Sequence, residues 1–96
     1  MVLSFDKILN RKNILDKVDS LQIFNHYIKD LVLEKPICSP IREDDYNPSF
    51  AVFINSRGKC LYKDFGVNLS GDCFDFIMKK YNLTFPEALQ KINQEY

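Results

Sequence analysis

Residues 48–76 read PSFAVFINSRGKCLYKDFGVNLSGDCFDF and carry the chain through one strand pattern, a turn, a second strand pattern and into an apolar helix. Between Ser49 and Asn55, Phe50, Val52 and Ile54 fall on one side and Ala51 and Phe53 on the other, the period of two expected of a half-buried strand. Asn55-Ser56-Arg57-Gly58 is a turn cluster in which Gly58 can take a positive φ, and residues 59–65 read as the returning strand. On that strand Lys59, Leu61, Lys63 and Phe65 share one parity, and Cys60, Tyr62 and Asp64 the other. Each face mixes apolar bulk with polar groups, which suits a ribbon that meets a partner.

Outward from this hairpin the pattern is helical on both sides. Upstream, Ser4 can cap a short helix bearing Phe5, Ile8 and Leu9, which residues 10–13 interrupt before a second helical pattern at Ile14, Leu15 and Val18. Asp19 or Ser20 can cap the next helix, whose stripe is Leu21, Phe24 and Ile28 and which ends near Lys29. His26 lies on that helix, where a lone histidine is ordinarily a core-edge side chain. Leu31-Val32-Leu33 reads as a short strand that Lys35-Pro36 ends or marks as an edge. Residues 38–48 form a polar, proline-containing loop.

Downstream, Ser70 or Asp72 can cap a helix that starts near Gly71 and buries Cys73, Phe74, Phe76 and Ile77, with Tyr81 at its end. Thr84-Phe85-Pro86-Glu87 matches a capping box with proline in the first turn, and Phe85, Ala88, Leu89 and Ile92 follow at helical spacing. The expected class is α+β: a small antiparallel sheet built on the hairpin 49–65, flanked by N-terminal and C-terminal helices, in one domain over residues 1–96.

The chain has 96 residues, with 13 basic and 13 acidic side chains, so no net field draws it to nucleic acid or an anionic membrane. Any such binding must arise locally. No apolar run is long enough to span a bilayer, and the Met1-Val2-Leu3-Ser4 start lacks a signal-peptide pattern, so the expectation is a cytoplasmic protein with no membrane partner. Cys38, Cys60 and Cys73 are odd in number and widely spaced, which favours reduced thiols over a disulfide framework. No catalytic constellation is visible: Glu43, Asp44 and Asp45 form an acidic run without a nucleophile or base at fixed spacing.

Cys38, Pro48-Ser49-Phe50, Tyr62, Phe65-Gly66, Gly71-Asp72, Phe74-Asp75-Phe76 and Leu83-Thr84-Phe85-Pro86-Glu87-Ala88-Leu89 together resemble the N-terminal zinc-ribbon domain, of CHC2 type, of bacterial and phage DNA primases. The likeness runs in order over residues 14–94. In that family a Cys-Pro-Phe-His loop precedes the Pro-Ser-Phe strand, and a Cys-Phe-Gly-Cys knuckle precedes Gly-Gly-Asp and a helix.

The resemblance implies a zinc-ribbon-like fold, but the ligands have degenerated. The knuckle cysteines fall on Asp64 and Val67, and the loop ligands fall at or near Cys38 and Arg42. Of the four ligands one, a thiol, remains, and zinc requires a closed tetrahedral set. The expectation is therefore no zinc and no other cofactor, with Arg42 and Asp64 bridging in its place and Val67 packing where a sulfur stood. The alternative is that Arg42 and Asp64 are both solvated.

The family's role implies binding to single-stranded DNA template, carried here to Arg57, Lys59, Tyr62, Lys63 and Phe65. Lysines neutralise phosphates and exposed rings stack on unpaired bases. Equally, Tyr62 and Phe65 can be core residues. The polymerising domain of a primase is absent from these residues, so the expected protein is not an enzyme. It is an accessory or fragment domain of phage or mobile-element replication, or alternatively a module docking on a replicative helicase or primase.

Overall fold

A computed structural model of the protein describes residues 10–29, 31–40 and 48–95. Among these, four helices and three strands occur in the order α1 (Arg11–Lys17), α2 (Ser20–Tyr27), β1 (Phe50–Ile54), β2 (Cys60–Asp64), β3 (Leu69–Gly71), α3 (Cys73–Tyr81) and α4 (Phe85–Glu95). The strands make one antiparallel sheet in the order β1-β2-β3. The α+β arrangement expected from the hairpin and its flanking helices is thus the one observed.

The hairpin closes as its turn residues dictate. Phe50 pairs with Asp64 and Ile54 with Cys60. Across the turn the Asn55 amide donates to the Lys59 carbonyl at 2.8 Å, while the Asn55 side-chain oxygen accepts from the amides of Arg57 and Lys59, each at 2.9 Å. Gly58 completes the reversal at φ 81°, a region that a Cβ would make costly.

The helix ends are set by side chains seen in the sequence. Asp72 accepts from the Asp75 amide at 2.9 Å and Asp75 accepts back from the Asp72 amide at 3.1 Å, a reciprocal cap that opens α3. Thr84 and Glu87 do the same for α4. Asp19 and Gln22 cap α2, which ends at Tyr27, earlier than the expected Lys29. Asn10 starts α1: its side chain accepts from the Asn13 amide at 2.8 Å, so α1 opens at Arg11, ahead of the Ile14 where the helical pattern begins. The helix expected at Ser4 to Leu9 lies outside the described residues.

Two segments differ from their sequence patterns. Residues 31–33 are not a strand: Glu34 turns to φ 64°, and among the described residues the backbone bonds from this segment to β1 are the Glu34 amide on the Val52 carbonyl and a single bridge between Ile37 and Phe50. In the other direction, Leu69–Gly71 becomes β3 by pairing with Tyr62 to Asp64, after a turn that Asn68 makes at φ 56°.

The inward face of the sheet, Phe50, Val52, Cys60 and Tyr62, packs against α2 and α3. Its centre is four rings. Phe50 stacks on Tyr62 at 5.4 Å between centroids, and Phe76 lies 5.5 Å from Phe24 and 5.7 Å from Phe50. Ile77, Ala88, Leu89 and Ile92 extend this core between α3 and α4, whereas Tyr81 stays at its edge and partly exposed.

Candidate nucleic-acid interface and the former metal end

The strand parity places the hairpin's charges. Cys60, Tyr62 and Asp64 are buried, so Leu61 and Lys63 must point outward, joined by exposed Arg57 and Lys59 at the turn and by Phe65 just past β2. Phe65 is 64 % exposed, and the Lys63 Nζ lies 5.2 Å from its ring centroid. From Pro48 to Gly71 the only acidic residue is Asp64, and its side chain is completely buried. The outward ribbon is therefore locally cationic on a chain with no net charge.

Tyr62 does not belong to that ribbon. Its residue is 2 % exposed and its ring is sandwiched among Phe50, Phe24 and Phe76, so it has no free face on which a base could stack. Of the five residues expected to meet nucleic acid, Arg57, Lys59, Lys63 and Phe65 share one side, and the Tyr62 ring belongs to the core. The pattern alone could not choose the buried parity, because apolar residues occupy both.

At the far end of the hairpin the topology brings Cys38 near Asp64, two of the positions that the family resemblance assigns to zinc ligands. Ile37 bridges Phe50, and Phe50 pairs with Asp64, so residues 37–39 lie beside the start of β1 and the end of β2. The Ser49 amide donates to the Ile37 carbonyl at 3.0 Å and the Phe65 amide donates to the Ser49 carbonyl at 2.7 Å. From α3, the Lys80 Nζ donates to the Pro40 carbonyl at 3.2 Å. Backbone bonds thus tie Ile37 to the start of the ribbon, and the Lys80 side chain holds Pro40 from α3.

The donors at this end do not suit zinc. Cys38 is exposed, Val67 is an exposed alkyl group, and the Asp64 carboxylate is turned inward to accept the Gly66 amide at 3.0 Å. Asp64 has further interactions besides this one. Arg42, the expected partner of Asp64, lies outside the described residues. Among those described, no group of three or more His, Cys, Asp or Glu side chains is arranged to hold a metal ion. Cys60 and Cys73 offer no substitute: both are buried, and burial raises their thiols, Cys73 to about 11, which keeps them protonated and poor ligands. His26 lies with its Nε2 3.4 Å from the Glu95 carboxylate on the helical side of the molecule.

Two features have roles that the sequence pattern does not explain. Arg11 reaches Asp72 and lays its guanidinium 5.0 Å from the Phe74 ring centroid and 5.4 Å from that of Phe85, pinning α1 to the start of α3. Gly71 is needed for close approach: a Cβ there would come within 2.6 Å of the Asp75 carboxylate. This explains physically why Gly-Asp stands before α3.

No helix among the described residues is long and apolar enough to cross a membrane. No curated protein and no solved structure matches the chain. A family model described as the CHC2 zinc finger, the zinc ribbon of the DnaG primase, does match, over residues 4–96. With the strand, knuckle turn, Gly-Asp cap and final capping box all in place and the ligand set eroded, the chain belongs to the CHC2 zinc finger family of DNA primases in a degenerate form.

Proposed function

We propose that this domain binds single-stranded DNA template through the outward side of its hairpin, as a non-catalytic accessory of phage or mobile-element replication in the cytoplasm. The observation that carries the reading is the juxtaposition of Phe65, open to solvent beneath the Lys63 ammonium, with Arg57 and Lys59 on a ribbon whose one carboxylate is buried. Cations spaced along a strand track phosphates, and an exposed ring offers a stacking platform to any unpaired base.

Titration of a labelled oligonucleotide at low and moderate salt tests this. Lys59→Ala with Lys63→Ala should weaken binding and reduce the salt slope by roughly 0.7 for each phosphate no longer neutralised. Phe65→Ala should cost about 1–3 kcal/mol of stacking and leave the slope nearly unchanged. Because these side chains lie on one side, a single strand can meet them all.

A second reading has its own support. Phe65 and Val67, at 64 % and 46 % exposure, stand two residues apart in one turn, an apolar pair suited to a protein partner such as a replicative helicase or primase. Absence of oligonucleotide binding at low salt would select it.

A further inference from the structure

We propose that an apolar cleft beneath the hairpin tip is a docking site for an acidic protein segment that presents aliphatic anchors. The cleft, about 470 Å³, lies between the tip of the β1–β2 hairpin, the corner where α1 passes into α2, and the start of α3. Leu15, Leu21, Ile54, Leu61 and Phe74 form its apolar walls.

Two of these side chains are left partly in water on opposite walls. Ile54 has the strand parity of Phe50 and Val52, which are fully buried, yet it is 46 % exposed at the last pair before the turn. From the helical side Leu15 of α1 is 37 % exposed, although Ile14 beside it is fully buried. Single exposed aliphatic residues are scattered over any protein surface, but two that share one concavity with further apolar walls form a place for a partner's side chains.

The charges around the cleft set the chemistry of that partner. Asp19 caps α2, accepting the Gln22 amide at 2.8 Å, and Arg11 is paired with Asp72. The remaining charged group in the lining is Lys59, which is exposed and, among the described residues, has no carboxylate partner for its ammonium. Arg57, exposed beside it in the turn, has none either. The hairpin side of the mouth is therefore cationic, and an occupant of complementary charge carries Asp or Glu there.

The walls favour a protein segment over a nucleobase. The polar edges of a base would face aliphatic groups that cannot bond them, which costs free energy, whereas Leu, Ile or Val side chains gain from leaving water. An apolar anchor seated in a pocket with charge at its rim is the usual centre of a protein interface. Leu15, Leu21 and Phe74 belong to the helices and not to the ribbon proposed to meet DNA. Lys59 is common to both surfaces, so a docked segment competes with a single strand for the hairpin tip.

The test is selection from a displayed library of random dodecapeptides on the immobilised wild-type domain, followed by titration of the enriched peptides against variants. Expected are peptides with aliphatic residues beside Asp or Glu, whose affinity falls about tenfold or more on Leu15→Ser and on Ile54→Asp. Lys59→Glu should weaken them too, and should favour the same peptides with Lys in place of the acid. Both altered aliphatic side chains are already partly exposed, and the melting temperature of each variant checks that it is folded. Leu15→Ser, off the ribbon, should leave the titration with single-stranded oligonucleotide as it is in wild type, which separates this inference from the DNA reading. No enriched peptide, enriched peptides without acidic residues, or undiminished binding to Leu15→Ser overturns the docking site. Weaker oligonucleotide binding by Leu15→Ser at an unchanged salt slope overturns it as well, because the cleft would then hold a base.

Discussion

Phe50→Ala should destabilise the domain by about 3–5 kcal/mol, a large fraction of the roughly 5–15 kcal/mol that holds a domain folded. Phe50 is where three parts of the fold meet: it pairs with Asp64 in β2, bridges Ile37 on its other edge, and stacks its fully buried ring on Tyr62 with Phe76 behind. Truncation to a methyl leaves a cavity that these neighbours cannot all close, because each is held by a strand or helix of its own. Urea unfolding would read the loss directly, and Phe53→Ala, on the outward face of the same strand, serves as the control. Equal effects at the two positions would mean that the four-ring cluster is not the centre of the core.

How much of the fold is legible in the residues depends on whether a feature is made locally or by tertiary packing. The Asn55 to Gly58 turn and the Thr84–Glu87 cap are written in side chains that bond their own neighbours, and both form where the sequence pattern puts them. β3 is not legible: Leu69-Ser70-Gly71 has no strand pattern, and becomes a strand only because Tyr62 to Asp64 present it with a free edge. Conversely Leu31-Val32-Leu33 has the composition of a strand but is turned aside at Glu34. Tyr62 is the most instructive residue for the site. Its parity with Cys60 and Asp64 is evident in the sequence, but the burial of that parity comes from α2 and α3, elements outside the hairpin.

With no metal-holding group among the described residues, Asp64→Ala tests what holds the turn after β2, and it should cost about 1–3 kcal/mol. A buried carboxylate is expensive unless its oxygens are engaged. Here Oδ1 accepts the Gly66 amide and bends the chain immediately after β2. Alanine would leave that amide without its acceptor and open a space at the junction of residues 37–39, β1 and β2. For a domain of this length each kcal/mol corresponds to roughly 4–8 °C, so the melting temperature should fall by about 5–20 °C. Asparagine at the same position keeps an oxygen for Gly66 but removes the charge, which separates the hydrogen bond from any ion pair the carboxylate makes. Melting in the presence of a chelator bears on the same point: a domain laced by the Ser49, Phe65 and Lys80 bonds and by Asp64 should melt at an unchanged temperature, and metal analysis should find no stoichiometric zinc. Zinc bound one to one, with unfolding on its removal, would mean that ligands from outside the described residues complete a site and that Asp64 is not the replacement.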